Sequence, residues 1–403
     1  MEIPVDVVVF GGGIQGLLIL SDLLEAGYNA VLVERFRPGI GQTGHSHVFL
    51  HQGHMFGSGK DRADSYRKID NLRRGFVAWE RELSKPRLSG LQRINHSLFT
   101  GFTPFSNRQQ TFEDCCSAKN LPYTPITGVA APSPAPVAGR SMFQTQSICL
   151  SANELLNALL GWNRASERVY VNPAVRIRGA GASTLVELPA VEGAAGIIFR
   201  PKAAVLAAGA GNERLLAELS RDPAFEPGPA RQQTVKTYML VIRGRHTSLP
   251  LASGFLPDDG GIFFAPREID GRVTWLIADG QRKHIAHPGD WPGFEAAEWF
   301  ARIKIRLAAA CPPLATSPQD FEWGIYEASK AELFTEDPRD PGAGGILPGN
   351  YFVTRCKNTN TWVTWPAFLT CAPLVSQAVV TGIQQALGTA SALSVQPPPP
   401  AAL

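Results

Sequence analysis

Several quick assignments fail on what the sequence lacks. It has no excess of one charge: 38 basic against 35 acidic residues leave a formal net charge of +3. That balance argues against nucleic acid or an anionic membrane as a partner. Cysteine is scarce, and Cys115, Cys116, Cys149, Cys311, Cys356 and Cys371 form no CxxC pair and no metal-type spacing. Such scatter in a long chain reads as reduced, buried thiols, and the Cys115-Cys116 pair as packing sooner than redox chemistry. No stretch reaches the roughly 18 apolar residues of a membrane span. Residues 7–24 come nearest, but no basic segment precedes them, Gly11-Gly12-Gly13 interrupts them, and no small-residue cleavage pattern follows. Internal repeats are not evident. The chain reads as soluble and cytoplasmic, a monomer or small homo-oligomer, with no metal. Its 403 residues suit two domains, and 44% hydrophobic with 18% charged residues is ordinary for a globular protein.

What is present is concentrated in residues 7–35, VVVFGGGIQGLLILSDLLEAGYNAVLVER. Residues 7–10 read as a buried strand, with no polar alternation. Gly11, Gly13 and Gly16 follow at once as GxGxxG. Residues 14–26 read as a helix with Ile14, Leu17, Leu18, Leu20 and Leu24 on or near one apolar side, capped by Gly27. Residues 30–33 form a second strand that ends in Glu34 and Arg35. Gly11 permits the tight turn, Gly13 lets the backbone approach a diphosphate, and Gly16 lets the helix pack on the strand. The diphosphate meets the amides at the helix start, where Ile14 and Gln15 stand, at the positive end of the dipole. Glu34 is placed to accept from an adenosine ribose, which favours FAD or NAD over NADP. Glycines alone are a weak signal, but strand, helix, strand and acid in this order make a dinucleotide site.

Residues 39–56, GIGQTGHSHVFLHQGHMF, decide between the two cofactors. This segment resembles the FAD-dependent oxidoreductases of the D-amino-acid oxidase, glycine oxidase and glycerol-3-phosphate dehydrogenase superfamily. In that superfamily a small-residue loop after the second strand runs along the flavin. The pattern QTGHS....H.G is most similar to the L-2-hydroxyglutarate oxidase branch, although Ser46-His47 stands where that branch usually has Asn-Ser. AAVLAAGAGNERLL (203–216) resembles the AxGxG element that closes over the cofactor, through Ala208, Gly209 and Gly211. NTNTWVTWPAFLTCAPLVSQAVVTGI (358–383) matches the position of the last flavin loop and helix, without the usual glycine-rich loop. Thr370 reads as the cap of that helix and Pro373 as its first turn.

The resemblance implies FAD and an α/β fold: a discontinuous Rossmann-type FAD-binding domain with an inserted α+β substrate domain on an antiparallel sheet. It implies further cofactor contacts from Gln42, Thr43, Gly44, His45, Ser46, Thr370 and Cys371, and an adenine contact near Val175. Residues 1–84, 145–225 and 346–392 are assigned to the FAD domain, and 85–144 with 226–345 to the substrate domain. Residues 61–83 and 294–310 read as helices, and Ser151 with Glu154 as a capping box. Residues 168–177 read as a candidate strand pair, and Asp270-Gly271 as a hairpin turn. The proline-rich stretch 129–139 reads as a loop or lid, and 393–403 as a disordered tail.

Only one dinucleotide fingerprint is present, so the flavin is expected to be reduced directly by an organic substrate and reoxidised by oxygen or another acceptor. The protein then holds a C–H bond over the flavin. For an amine, hydride leaves the neutral substrate; a hydroxy acid needs a base as well. His45, His47, His51 and His54 cluster without metal-like spacing. They read as a base near the flavin, a covalent histidyl link, or polar loop residues. His51 is the first choice for the base, because it sits where the resembled pattern has its second His. For a substrate carboxylate the candidates are Arg355, Tyr326 and Lys330, then Arg243, Arg267 and Arg282. Lys357 stands beside Arg355, and Trp362 and Trp365 read as pocket wall or core. The expected function is oxidation of an amino acid or amine. The alternatives are a 2-hydroxy-acid oxidase or dehydrogenase, and a flavin-binding protein without turnover.

Overall fold

The computed structural model describes residues 1–59, 62–126, 140–165, 167–180, 183–191, 195–223, 225–226, 231–245, 249, 251–279, 296–334, 351–365 and 367–389. The stretches 129–139 and 393–403, and Arg282, lie outside the described residues.

The first strand, β1 (Glu2–Phe10), has no solvent face in its second half. Val7 and Val9 pack into one core, while Val8 and Phe10 pack into another. That explains the unbroken apolar run, since a parallel strand covered by helices is buried on both sides. β1 leads through the glycines to α1 (Ile14–Glu25), which returns to β2 (Ala30–Glu34). β2 is followed across the sheet by Val169–Val171, and on its other side β1 is followed by Ile197–Leu206 and Thr361–Thr364. All five strands are parallel. In chain order they read 3-2-1-4-5, the doubly wound arrangement, whose order reverses between β1 and Ile197–Leu206. Helices α1, Ala152–Ala165 and Ala372–Leu387 cover one face.

The second sheet has nine strands. Helix Ala296–Ala310 packs Trp299, Ile303 and Leu307 against its Leu240, Phe264 and Trp275. The sheet is antiparallel except where Ser253–Leu256 runs parallel to Arg93–Phe102. Strand Phe49–His51 belongs to this second sheet, paired with Ser141–Leu150. The sequence division put residues 49–51 and 145–150 in the FAD-binding half. The chain instead crosses between sheets inside those segments, because the pairing partners lie far off in sequence.

Local expectations fared unevenly. Ile269 pairs with Arg272 across Asp270-Gly271, both at positive φ, and the Glu154 amide donates to Ser151 Oγ at 3.3 Å. The helices run Arg62–Leu83 and Ala296–Ala310. The expected pair within 168–177 does not form. Val169–Val171 joins β2, whereas Arg176–Ala180 pairs with Ser183–Leu188.

Candidate functional site

A cavity of about 500 Å³ opens at the carboxyl ends of the parallel strands, where the strand order reverses. Its floor is the turn between β1 and α1. Gly11 sits at φ +108°, and a Cβ there would stand 2.5 Å from the Ala207 carbonyl oxygen. A Cβ on Gly16 would stand 2.0 Å from the Gly11 oxygen, so helix and turn approach backbone to backbone. Gly13 at the N-cap has no side chain to close the helix end, so apart from the Ile14 amide, which Thr43 takes, the first-turn amides of α1 are left to the cavity. Gln15 lines the cavity with its Nε2 buried and unpartnered among the described residues. Glu34 closes this end: its carboxylate accepts from the Gly12 amide at 2.5 Å and the Phe36 amide at 2.9 Å. An amide-rich helix end, an orphan amide side chain and a fixed carboxylate fit a dinucleotide's diphosphate and ribose.

The walls come from distant segments. Thr43 Oγ1 accepts from the Ile14 amide at 3.3 Å and so ties the 39–46 loop to the turn. Gln42 Oε1 accepts from the Ala331 amide of the second sheet at 3.2 Å. Asn212, fully buried, was not singled out from the sequence. Its Oδ1 accepts from the Ala208 amide and its Nδ2 donates to the Thr364 carbonyl, joining two loops 152 residues apart. Its position directly after Gly209-Ala210-Gly211 was the available signal.

Thirteen expected cofactor residues line the cavity: Gly11, Gly13, Ile14, Gln15, Glu34, Arg35, Gln42, Thr43, Ser46, Val175, Ala208, Gly209 and Gly211. Gly16, Gly44, His45, Thr370 and Cys371 lie outside the lining. The Gly44 amide donates to the Gly39 carbonyl, and His45 Nδ1 stands 3.0 Å from the Gly41 carbonyl. Thr370 does not cap the final helix, whose N-cap is Cys371. Its Oγ1 accepts instead from the His51 amide at 3.3 Å. Burial pushes the Cys371 thiol up to about 12, and the Cys116 thiol likewise, which suits packing and not redox exchange.

Of the four expected catalytic residues, His51, Arg355 and Lys330 do not line the cavity. Arg355 donates to the Thr359 carbonyl at 3.1 Å and Asn360 Oδ1 at 2.6 Å, and its guanidinium lies 5.2 Å from the Trp362 ring centroid. Asn360 precedes strand Thr361–Thr364, so Arg355 is drawn toward the strand's amino end, whereas Thr364 at the other end lines the cavity. Lys330 follows strand alternation: Ala331 lines the cavity, so Lys330 points to the other face. Tyr326 lies opposite Met239, and its side chain lies outside the described residues. Arg243 donates to Thr274 Oγ1 on the second sheet. Arg267 reaches the cavity rim, donating to the Ser46 carbonyl at 2.7 Å. Lys357 pairs with Glu226, and Trp362 and Trp365 are buried core residues.

His51 is buried at 5% exposure and stacks on Phe49 at 5.7 Å. Its Nδ1 accepts from the Gly53 amide at 3.1 Å. Burial, with His54 nearby, pushes its pKa down to about 3, so the ring is neutral. His54 is likewise lowered by burial, to about 4, with Nε2 3.1 Å from the Pro122 carbonyl. Among the described residues no group of three or more His, Cys, Asp or Glu side chains is placed to hold a metal ion. Nor is any described helix long and apolar enough to cross a membrane.

Known proteins of the same shape are readily found. An FAD-dependent oxidoreductase from Pseudomonas aeruginosa superposes with a TM-score of 0.68 at 20% identity, over 100% of this chain and 94% of that one. Glycine oxidase from Geobacillus kaustophilus gives 0.68 at 17%, over 95% of each chain. Iminodiacetate oxidase from Chelativorans sp. BNC1 gives 0.66 at 14%, over 94% and 95%. No curated protein matches the sequence. The family model described as DAO, FAD dependent oxidoreductase, matches residues 6–367, which include all five parallel strands. The chain therefore belongs to the DAO family of FAD-dependent oxidoreductases, enzymes whose cofactor is FAD.

Proposed function

We propose that the protein oxidises the C–N bond of a small amine or amino acid. The observation that carries this reading is the state of His51: buried and neutral, with Nδ1 already taken by the Gly53 amide. Carbon loses a hydride and nitrogen a proton, leaving an imine that water converts to a carbonyl compound and an amine or ammonia. A neutral amine needs no strong protein base for this, whereas a hydroxyl substrate does. Bound FAD supplies the hydride acceptor and passes the electrons to oxygen or another acceptor.

The chain's own residues bind and orient. The amide end of α1 and Gln15 would hold the diphosphate, and Glu34 would take the ribose hydroxyls. Helix Ala372–Leu387, whose first residue lines the cavity, would set its positive end against the bound cofactor. The 39–46 loop and the second sheet, joined through Gln42 and Arg267, close the site against water. Similar folds named for glycine, iminodiacetate and L-amino acids lend support to a C–N substrate.

Anaerobic mixing with panels of amines, amino acids and 2-hydroxy acids tests the reading. The visible flavin band should bleach with members of the first two panels. Bleaching by 2-hydroxy acids alone overturns it and returns His51 to the role of base. A yellow, dithionite-reducible protein bleached by no panel is a flavin-binding protein without turnover.

A further inference from the structure

Phe368 lines the cofactor cavity and also ends a connected run of six rings. His47 meets Phe263 at 4.9 Å, Phe263 meets Phe49 at 4.9 Å, and Phe49 stacks on His51. His51 then meets both Phe56 at 6.0 Å and Phe368 at 6.1 Å, which meet each other at 5.6 Å. The rings come from the 44–51 loop and strand, the His54–Phe56 turn, strand Ile262–Ile269 and the segment before the final helix. The strand residues among them, Phe49, His51 and Phe263, all belong to the second sheet. His47, Phe56 and Phe368 are only half-buried, and the run of rings reaches the cavity wall through Phe368.

One polar atom in this box has a fixed direction. Because the Gly53 amide donates to Nδ1 of His51, the neutral ring carries its proton on Nε2. No described group accepts that proton, and Nε2 is not among the fully buried polar atoms, so the donor reaches the little surface that His51 keeps exposed. A donor with room for an acceptor, set among half-exposed rings, favours a guest that carries both an oxygen and an apolar group.

We propose that the ring box is the substrate's side-chain pocket. It selects an amine bearing an apolar group of about phenyl size, and the Nε2–H of His51 donates to an oxygen of that substrate. This assignment rests on the C–N reading above for its reaction, though not for its binding.

Phenylacetate and acetate, titrated into the holoenzyme and followed by the shift of the flavin band, read binding without turnover. Phenylacetate should bind at least about tenfold tighter than acetate, as burial of a ring predicts. His51→Phe, which keeps the ring and removes the donor, should lose about tenfold for phenylacetate, while His51→Gln retains most of it. Phe263→Ala should narrow the gap between the two ligands, and each variant's flavin spectrum reports its fold. Equal affinity for acetate and phenylacetate, or unchanged binding in His51→Phe, overturns the proposal. With substrates, kcat/KM should be higher for phenylalanine than for glycine. If phenylacetate binds as expected but no amine bleaches the flavin, the pocket stands and the C–N reading falls. If glycine reacts best and phenylacetate gains nothing over acetate, the pocket falls and the C–N reading stands.

Discussion

At the nucleotide end of the cavity the chain recognises through its backbone: the start of α1, the glycine turn and one carboxylate, all within residues 11–34. At the other end Phe368 lines the cavity, and behind it stands a run of rings and a histidine drawn from segments as far apart as His47 and Phe368. The backbone end tolerates no added Cβ at Gly11 or Gly16, where it would meet main-chain oxygens at 2.5 and 2.0 Å. The ring end is made of interchangeable apolar volume, which admits substitution at a moderate cost. Specificity can therefore vary at the second end without disturbing cofactor binding at the first.

Gly16→Val should break the comparison most severely. Its Cβ would collide with the Gly11 oxygen, so the variant should purify colourless or insoluble, measured as the ratio of flavin to protein absorbance. Loss of flavin in Phe263→Ala to the same degree would dissolve the distinction between the two ends. Next comes the frame behind α1. The Arg87 side chain is fully buried between Asp22, Glu25 and Glu82, with 2.6 Å bonds to the first two. Arg87→Ala leaves Lys85 alone to pair the three carboxylates and should cost about 3 kcal/mol in denaturant unfolding.

Acid should act on the histidine end. His51 and His54 titrate near 3 and 4 when folded, against 6.5 when exposed, so only the unfolded chain takes up protons in that window. Stability is then full above about pH 6.5 and falls as pH drops toward the folded values. Each histidine should cost about 1.4 kcal/mol by one unit below 6.5. The comparison of unfolding midpoints at pH 7 and 5.5 in His51→Gln and the parent isolates the first contribution. A last effect, about the size of one histidine's, is expected from Glu34→Ala. It removes a carboxylate already shared with two amides and should weaken FAD by about tenfold, or roughly 1.4 kcal/mol, in a flavin-release titration.

The two ends also differed in how far they could be read beforehand. The glycine turn was legible because strand, turn, helix and acid are neighbours in the chain, and each spacing has one geometric meaning. The Asp270-Gly271 hairpin was legible for the same reason. Thr370 looked like a helix cap from its neighbours, but a partner 319 residues away, the His51 amide, claims its hydroxyl. Arg355 looked near the flavin because it precedes the last loop by a few residues, but its strand carries it toward the wrong end. Asn212 escaped notice because both its partners are backbone groups, which leave no pattern in side-chain sequence.

From its order of residues alone the chain determined a dinucleotide fold, a single FAD-type cradle and the acid that closes it, since those follow from short-range backbone geometry. Which side chains stand together behind the cavity wall was decided only by the tertiary structure. There, two strands of the second sheet and the segment before the final helix set His51 among rings such as Phe263 and Phe368 that the linear sequence keeps hundreds of residues apart. Burial in that box then removes the imidazole's proton affinity, a property that no local motif encodes.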